Sequence, residues 1–386
     1  METEGKSLLD SILPLAGSFF TAFIITLLLI PIIIRLSKKY QLVDKPDQRK
    51  VHKDPIPTLG GIGFFSGFIG IAIAWMSWSG QLADFILLIG LIVLFTMGIF
   101  DDMLDLRASL KFVIQITVAL IISYYGFKIE SLHGVFGINE MPVWAQYTFS
   151  VFLITGLINA FNLIDGIDGL AGGLAFINSA VLGIILYQQE NMLYATLAFT
   201  FAGALLGFLK FNFNPAKIFM GDTGSLVIGF LMAVLGIVVI RGIDITEIST
   251  PSPTGSLMIV VVGILLLPVY DTLRVFSERI LKKSSPFKPD RTHVHHLLIE
   301  TGARHKKASI ILYVANLTII IMAYFLRDAN PSFSVLFLFV LAAIMSESIN
   351  LKRWLMELAL GKKAAEKTSK IVEENRFLED IIDKDS

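Results

Sequence analysis

Eleven stretches of this 386-residue chain are apolar for long enough to cross a bilayer as helices, and that repetition constrains the fold more than any motif does. A helix rises about 1.5 Å per residue, so about 20 apolar residues cover a hydrocarbon core about 30 Å thick. The stretches span residues 13–34, 60–78, 83–100, 109–125, 144–161, 170–188, 192–210, 223–241, 256–275, 309–326 and 332–349. Hydrophobic residues make up 54% of the chain and charged ones 17%, against roughly 25% charged in a soluble domain. The pattern predicts an all-α integral membrane protein of about eleven transmembrane helices. The first stretch reads as a retained span, because its flank from Met1 to Asp10 carries three acids and one lysine and no small-residue cleavage site follows it.

Cationic loops stay on the cytoplasmic side. With the N-terminus outside and the C-terminus cytoplasmic, 28 of the 32 Lys and Arg residues fall inside, leaving Lys6, Lys128, Arg241 and Arg327 outside. Trp75, Trp78 and Trp144 then fit an outer interfacial belt. Residues 1–350 read as one polytopic membrane domain whose cytoplasmic loops are 35–59, 101–111, 162–169, 210–222 and 274–308. Residues 351–386 form a charged cytoplasmic tail, with apolar residues spaced for an amphipathic helix that lies on the membrane or pairs subunits in a homodimer. The expected location is a bacterial inner (cytoplasmic) membrane.

The 32 basic and 32 acidic residues cancel, which argues against a nucleic-acid binder. With no Cys there is no disulfide, thiolate metal site or cysteine nucleophile, so any metal is held by oxygen or imidazole.

The dense polar clusters all fall in the inside segments. Asp101, Asp102 and Asp105 end the third span, followed by Arg107 and Lys111; such acids are either solvated at the boundary or functional. Asn159, Asn162, Asp165 and Asp168 recur every three residues, near one face if helical, with Gly166 and Gly169 breaking the helix. They read either as an Asx turn between spans or as oxygen ligands for a hard cation or a nucleobase. Gly221, Asp222, Gly224 and Ser225 open the eighth span, with Asp222 an N-cap or part of a backbone cradle for phosphate. This is not a P-loop, because no Lys follows the second Gly. Asp271, Arg274, Arg279, Asp290, Arg291, His293, His295 and His296 lie in the long inside segment and suit a diphosphate, with a metal site or a structural role as alternatives. Lys45, Arg49, Lys50, His52 and Lys53 in the first inside loop serve topology and, in part, approach of a lipid phosphate.

Taken together, DDMLDL at 101–106, NxxNxxDGxDGL at 159–170, FMGDTGSL at 219–226 and DRTHVHH at 290–296 resemble the polyprenyl-phosphate N-acetylhexosamine-1-phosphate transferases. The resemblance covers the chain from about Leu42 to His296 and is closest to the bacterial undecaprenyl-phosphate N-acetylglucosaminyl branch, which carries an HIHH-like motif. It implies transfer of N-acetylglucosamine 1-phosphate from UDP-GlcNAc to undecaprenyl phosphate, with release of UMP and initiation of a cell-surface glycan such as O-antigen lipopolysaccharide. It also implies Mg²⁺, with Mn²⁺ as substitute. By resemblance, Asp222 is the main metal carboxylate and Asn162 a second ligand. Asp101 or Asp102 is the base, Lys111 lies near the diphosphate, and Asp168 sits at the uridine. Arg291, His293, His295 and His296 close on the phosphates and sugar. The alternatives are phospho-MurNAc-pentapeptide transfer in peptidoglycan synthesis and, in a different class, a secondary transporter, whose site would lie nearer the bilayer midplane.

Overall fold

In the computed structural model, residues 8–44, 55–242, 257–285 and 292–382 are described. The helices in order are α1 (Leu8–Lys39), α2 (Gly60–Ser79), α3 (Leu82–Leu104), α4 (Ala108–Tyr124), α5 (Val143–Ile164), α6 (Leu170–Gln188), α7 (Met192–Asn212), α8 (Asp222–Arg241), α9 (Leu257–Leu281), α10 (Val294–Glu300), α11 (His305–Phe325) and α12 (Pro331–Ile382). Among the described residues, ten helices are long and apolar enough to cross a membrane, and α4, with 17 residues, is a shorter eleventh. The protein is therefore an all-α, multi-pass integral membrane protein.

Helix α8 is the axis. Every residue from Thr223 to Ile240 is buried, as expected for a helix that is apolar all round. It packs against α2, α3, α5, α6 and α9. Small residues permit these contacts where lipid gives no hydrophobic drive between helices: Gly229 of α8 meets the α5 backbone at Leu157 and Ile158, and Gly203 of α7 meets the α1 backbone at Phe19. The periphery is greasy instead, with Phe20 and Leu28 of α1, Phe152 of α5 and Ile344 of α12 all exposed to where lipid would lie.

Three features add to the sequence expectation. Two short antiparallel hairpins occupy loops: β1 (Val43–Asp44) pairs with β2 (Ile56–Pro57), and β3 (Ser131–Val135) with β4 (Ile138–Glu140). The second closes through Phe136 and Gly137, both at positive φ (53° and 75°), the twist that tight hairpins favour. Pro268 lies inside α9 without ending it. The tail is no separate helix either. Helix α12 continues unbroken for 52 residues, about 78 Å, so a flat-lying tail would need a break that the backbone lacks.

Candidate active site

The C-terminal ends of α3, α5 and α9 and the N-terminal ends of α4 and α8 meet on one side of the bundle, joined by the α5–α6 loop and α10. Asp101 is 7% exposed. Its Oδ2 accepts from Lys111 Nζ at 2.6 Å and its Oδ1 from the Leu106 amide at 2.9 Å. The same ammonium reaches Asp222 Oδ2 at 3.3 Å, so one lysine from α4 bridges a carboxylate of α3 and one of α8. Asn162 on the last turn of α5 completes the cluster, donating to Asp222 Oδ1 at 2.8 Å and to Ser225 Oγ at 3.0 Å. Asp101, Lys111, Asn162, Asp222 and Ser225 thus converge.

Asp102, next in sequence, does a different job. Its Oδ1 accepts from the Asp222 amide at 2.7 Å, and its Oδ2 accepts from the Thr223 amide at 3.0 Å and hydroxyl at 2.6 Å. It caps the first amides of α8 from another helix, Gly221 being the N-cap residue itself, and stabilises the positive end of that helix dipole. Gly221 (φ 73°) lies so close to Asp102 and to the Thr58 carbonyl that a Cβ there would collide with both. The segment before Gly221 is clamped by the start of α2, where Gly60 and Gly61 donate to the Phe219 and Met220 carbonyls, each at 2.9 Å.

This capping corrects the phosphate-cradle reading of the α8 N-terminus. The Asp222 and Thr223 amides are taken by Asp102, and those of Gly224 and Ser225 by the Gly221 carbonyl at 3.1 Å each. The first turn has no spare N–H for a phosphate, so Gly221 and Ser225 shape the site rather than hold an anion by backbone donors.

The α5–α6 loop carries the remaining acids. Asp165 is half-buried and, among the described residues, its carboxylate has no hydrogen-bond donor. Burial, together with the carboxylates of Asp222, Asp102 and Asp168, pushes it up to about 7. Asp168 behaves oppositely. Burial would raise it, but donors from His305, Asn214 and the Ala216 amide outweigh that and hold it below the usual carboxylate range. Both Asp168 oxygens are committed: Oδ2 to Asn214 (2.8 Å) and Ala216 (3.1 Å), Oδ1 to His305 Nδ1 (3.2 Å). Ser309 and Tyr313 of α11 bond the Asp168 and Gly169 carbonyls. Asp168 therefore pins the loop to its neighbours. Asn159, one turn before Asn162, spends its amide on Gln115 Oε1 (2.8 Å) and the Thr155 carbonyl (2.7 Å).

The histidines pack onto that loop. Asp271 Oδ1 accepts from the Val294 amide at 2.9 Å, and His293 Nδ1 lies 2.8 Å from Asp271 Oδ2, so a buried carboxylate of α9 anchors the start of α10. His295, 1% exposed, stacks between His293 (5.8 Å) and His296 (4.2 Å). Its ring lies against Gly166, where any side chain would strike it. Neither ring nitrogen of His295 has a partner among the described residues, and burial drives its pKa down to about 3. Arg291, Asp290 and the basic residues Lys45, Arg49, Lys50, His52 and Lys53 lie outside the described residues.

Sequence reasoning missed the capping of α8 by Asp102, the anchoring of α10 by Asp271, and the ties from Asn214, His305 and Tyr313. Each joins residues far apart in the chain, and only the NPA turn at 214–216 carried a local signal.

The glycosyl transferase family 4 profile matches residues 85–240, which carry the Asp101, Asn162 and Asp222 motifs. A Bacillus subtilis (strain 168) protein described as a probable undecaprenyl-phosphate N-acetylglucosaminyl 1-phosphate transferase is 32% identical over 330 residues, covering 85% of this chain and 89% of the relative. The Escherichia coli (strain K12) undecaprenyl-phosphate alpha-N-acetylglucosaminyl 1-phosphate transferase is 30% identical over 350 residues, covering 86% and 90%. The protein of the same description from Yersinia pestis is 30% identical over 314 residues, covering 79% and 82%.

Proposed function

Because the chain belongs to glycosyl transferase family 4, in its undecaprenyl-phosphate N-acetylglucosaminyl 1-phosphate transferase branch, and is thus a sugar-phosphate transferase, we propose that it transfers N-acetylglucosamine 1-phosphate from UDP-GlcNAc to undecaprenyl phosphate. UMP leaves, and the lipid-diphosphate sugar starts a cell-surface glycan. The branch supports a transferase over a transporter and favours UDP-GlcNAc over a MurNAc-pentapeptide donor. The bias of Lys and Arg supports a cytoplasmic site, and the bacterial relatives support an inner-membrane location.

The observation that carries this reading is the Lys111 bridge between Asp101 and Asp222, with Asn162 beside it. A phosphate monoester is already an anionic nucleophile, so the protein mainly has to position it and neutralise charge. An oxygen of the lipid phosphate attacks the β-phosphorus of the UDP-sugar. The bond from that phosphorus to the bridging oxygen breaks, and UMP departs with the electron pair. Lys111, held by two carboxylates, stabilises charge on the phosphates. Asp101, whose Oδ2 faces the Lys111 ammonium of the cluster, takes any proton left on the lipid phosphate, whereas the three bonds to Asp102 all come from the start of α8. His295 and His293, braced on the Gly166 loop, shape the side facing the sugar.

The donors also fit a hard cation. Asp222 and Asn162 offer oxygens, no Cys competes, and Asp165 is crowded by like charge that a cation would relieve. Mg²⁺ is usually held by one or two carboxylates, waters and substrate phosphates, a demand that Asp222 beside Asn162 can meet. We assign Mg²⁺ to Asp222 and Asn162, with Mn²⁺ as substitute; bound there, it polarises the phosphoryl oxygens.

The test is UMP release by purified protein with undecaprenyl phosphate, Mg²⁺ and a panel of UDP-sugars. UDP-GlcNAc is the expected donor. Reaction with UDP-MurNAc-pentapeptide and not UDP-GlcNAc overturns the substrate assignment, and a trapped phosphoryl-aspartate overturns direct attack.

A further inference from the structure

Away from the Asp222 cluster, a cavity of about 320 Å³ opens between the last turns of α9, the outer face of α10 and the end of the membrane-crossing part of α12. Its wall contains three cations, Arg274, Lys282 and Arg353, against one carboxylate, Glu278. Glu278 is itself divided between Arg274 (2.7 Å) and Lys282 (3.5 Å). Leu297 and Trp354 give the wall an apolar side, and Trp354 is 55% exposed near the end of the membrane-crossing stretch of α12, a position that suits an interfacial tryptophan.

We propose that this cavity binds the phosphate headgroup of an anionic phospholipid. Basic pockets between transmembrane helices suit such headgroups, because the phosphate finds cations in a partly desolvated notch while its acyl chains stay in the bilayer. Arg274 is built for the role. Its side chain is only 7% exposed, Asp271 (3.1 Å) and Glu278 fix its guanidinium, and its buried Nε has no partner among the described residues. The apolar wall and the depth at the end of α12 favour a lipid over a soluble anion.

The position gives the ligand a consequence. Arg274 also donates to the Thr292 carbonyl, one residue before His293, and Arg353 pairs with Glu300 at the other end of α10 at 3.0 Å. The cavity wall is thus the bracket that presses His295 onto Gly166. A lipid seated there braces α10 from behind. That consequence rests on the proposed transfer reaction; the binding itself does not.

The test reads binding, so failure of the transfer reading leaves it intact. Full-length protein in phosphatidylcholine nanodiscs doped with phosphatidylglycerol is analysed by native mass spectrometry for retained phosphatidylglycerol. Lys282, 69% exposed in its side chain, can be replaced without disturbing the fold, which a melting curve verifies. Lys282→Gln should weaken retention about fivefold, the effect of one surface charge, and Lys282→Glu by more. Arg353→Gln should act like Lys282→Gln. Equal retention by the wild type and Lys282→Glu overturns the proposal, and so does displacement of the lipid by inorganic phosphate alone.

Discussion

Helix α3 carries a buried acid at each end, and the two ends treat it differently. At the N-terminal end Asp84 is 1% exposed and accepts from the Ser79 and Tyr194 hydroxyls. Both oxygens are met by neutral donors, and the contact fastens the α2–α3 turn to α7. At the other end Asp101 and Asp222 share Lys111, with Asp165 crowded nearby. A fully donated carboxylate is a clamp. A group of carboxylates around one lysine keeps charge that substrate phosphates and a cation can use. The division runs between adjacent residues, because Asp102 resembles Asp84 in having its oxygens filled, here by the start of α8.

The largest expected effect is at the shared carboxylate. Asp222→Asn should lower UMP release by about 10²–10³-fold, the usual consequence of removing one preorganised electrostatic group, with little change in melting temperature. Full activity in this variant would remove Asp222 from the site.

The adjacent pair separates the two roles more sharply. Asp102→Ala strips the cap from α8 and should cost about 2–3 kcal/mol, read as a lower melting temperature in detergent, whatever it does to turnover. Asp101→Asn keeps an acceptor for the Leu106 amide but loses the ion pair to Lys111. It should lower kcat roughly 10²-fold while melting like the wild type. If the two variants melted alike and reacted alike, the distinction drawn between them would collapse. At the far end, Asp84→Ala should cost about 1–3 kcal/mol, because it strands two hydroxyls, and should leave kcat and KM unchanged. A fall in kcat there would make Asp84 part of the active site.

Most of the fold was legible in the sequence, because bilayer thickness turns span length into a count and places loops between spans. The site motifs were legible as residue types for a related reason: charge near a membrane is costly, so Asp101, Asn162, Asp165 and Asp222 stand out against apolar surroundings. Their partners were not legible. Nothing near Asp102 in the chain announces the amides of Asp222 and Thr223, and nothing near Asp168 announces His305, because those contacts depend on which helix ends meet. The same limit explains the phosphate-cradle misreading at Gly221: a glycine-flanked acid opening a helix looks the same whether its amides face a ligand or a carboxylate from another helix. The tail is helical as its spacing predicts, but amphipathic spacing says nothing about whether it continues the preceding span without a break.

The last contrast concerns His295, and pH reveals it. Burial holds its pKa near 3, against about 6.5 in an unfolded chain. As pH falls from 6.5 toward 3 the unfolded chain takes up a proton that the folded one refuses, so this residue's contribution makes the fold less stable in acid. At pH 5 the loss relative to neutral pH is about 2 kcal/mol. His295→Leu removes that term while leaving the other titrating groups in place, and the difference between the two proteins isolates it. Wild type should therefore lose more melting temperature than His295→Leu between pH 7.5 and 5. Parallel losses would mean that a donor or an anion already satisfies the ring, and that the end of the bundle holding His295 is less starved of partners than its packing against Gly166 implies.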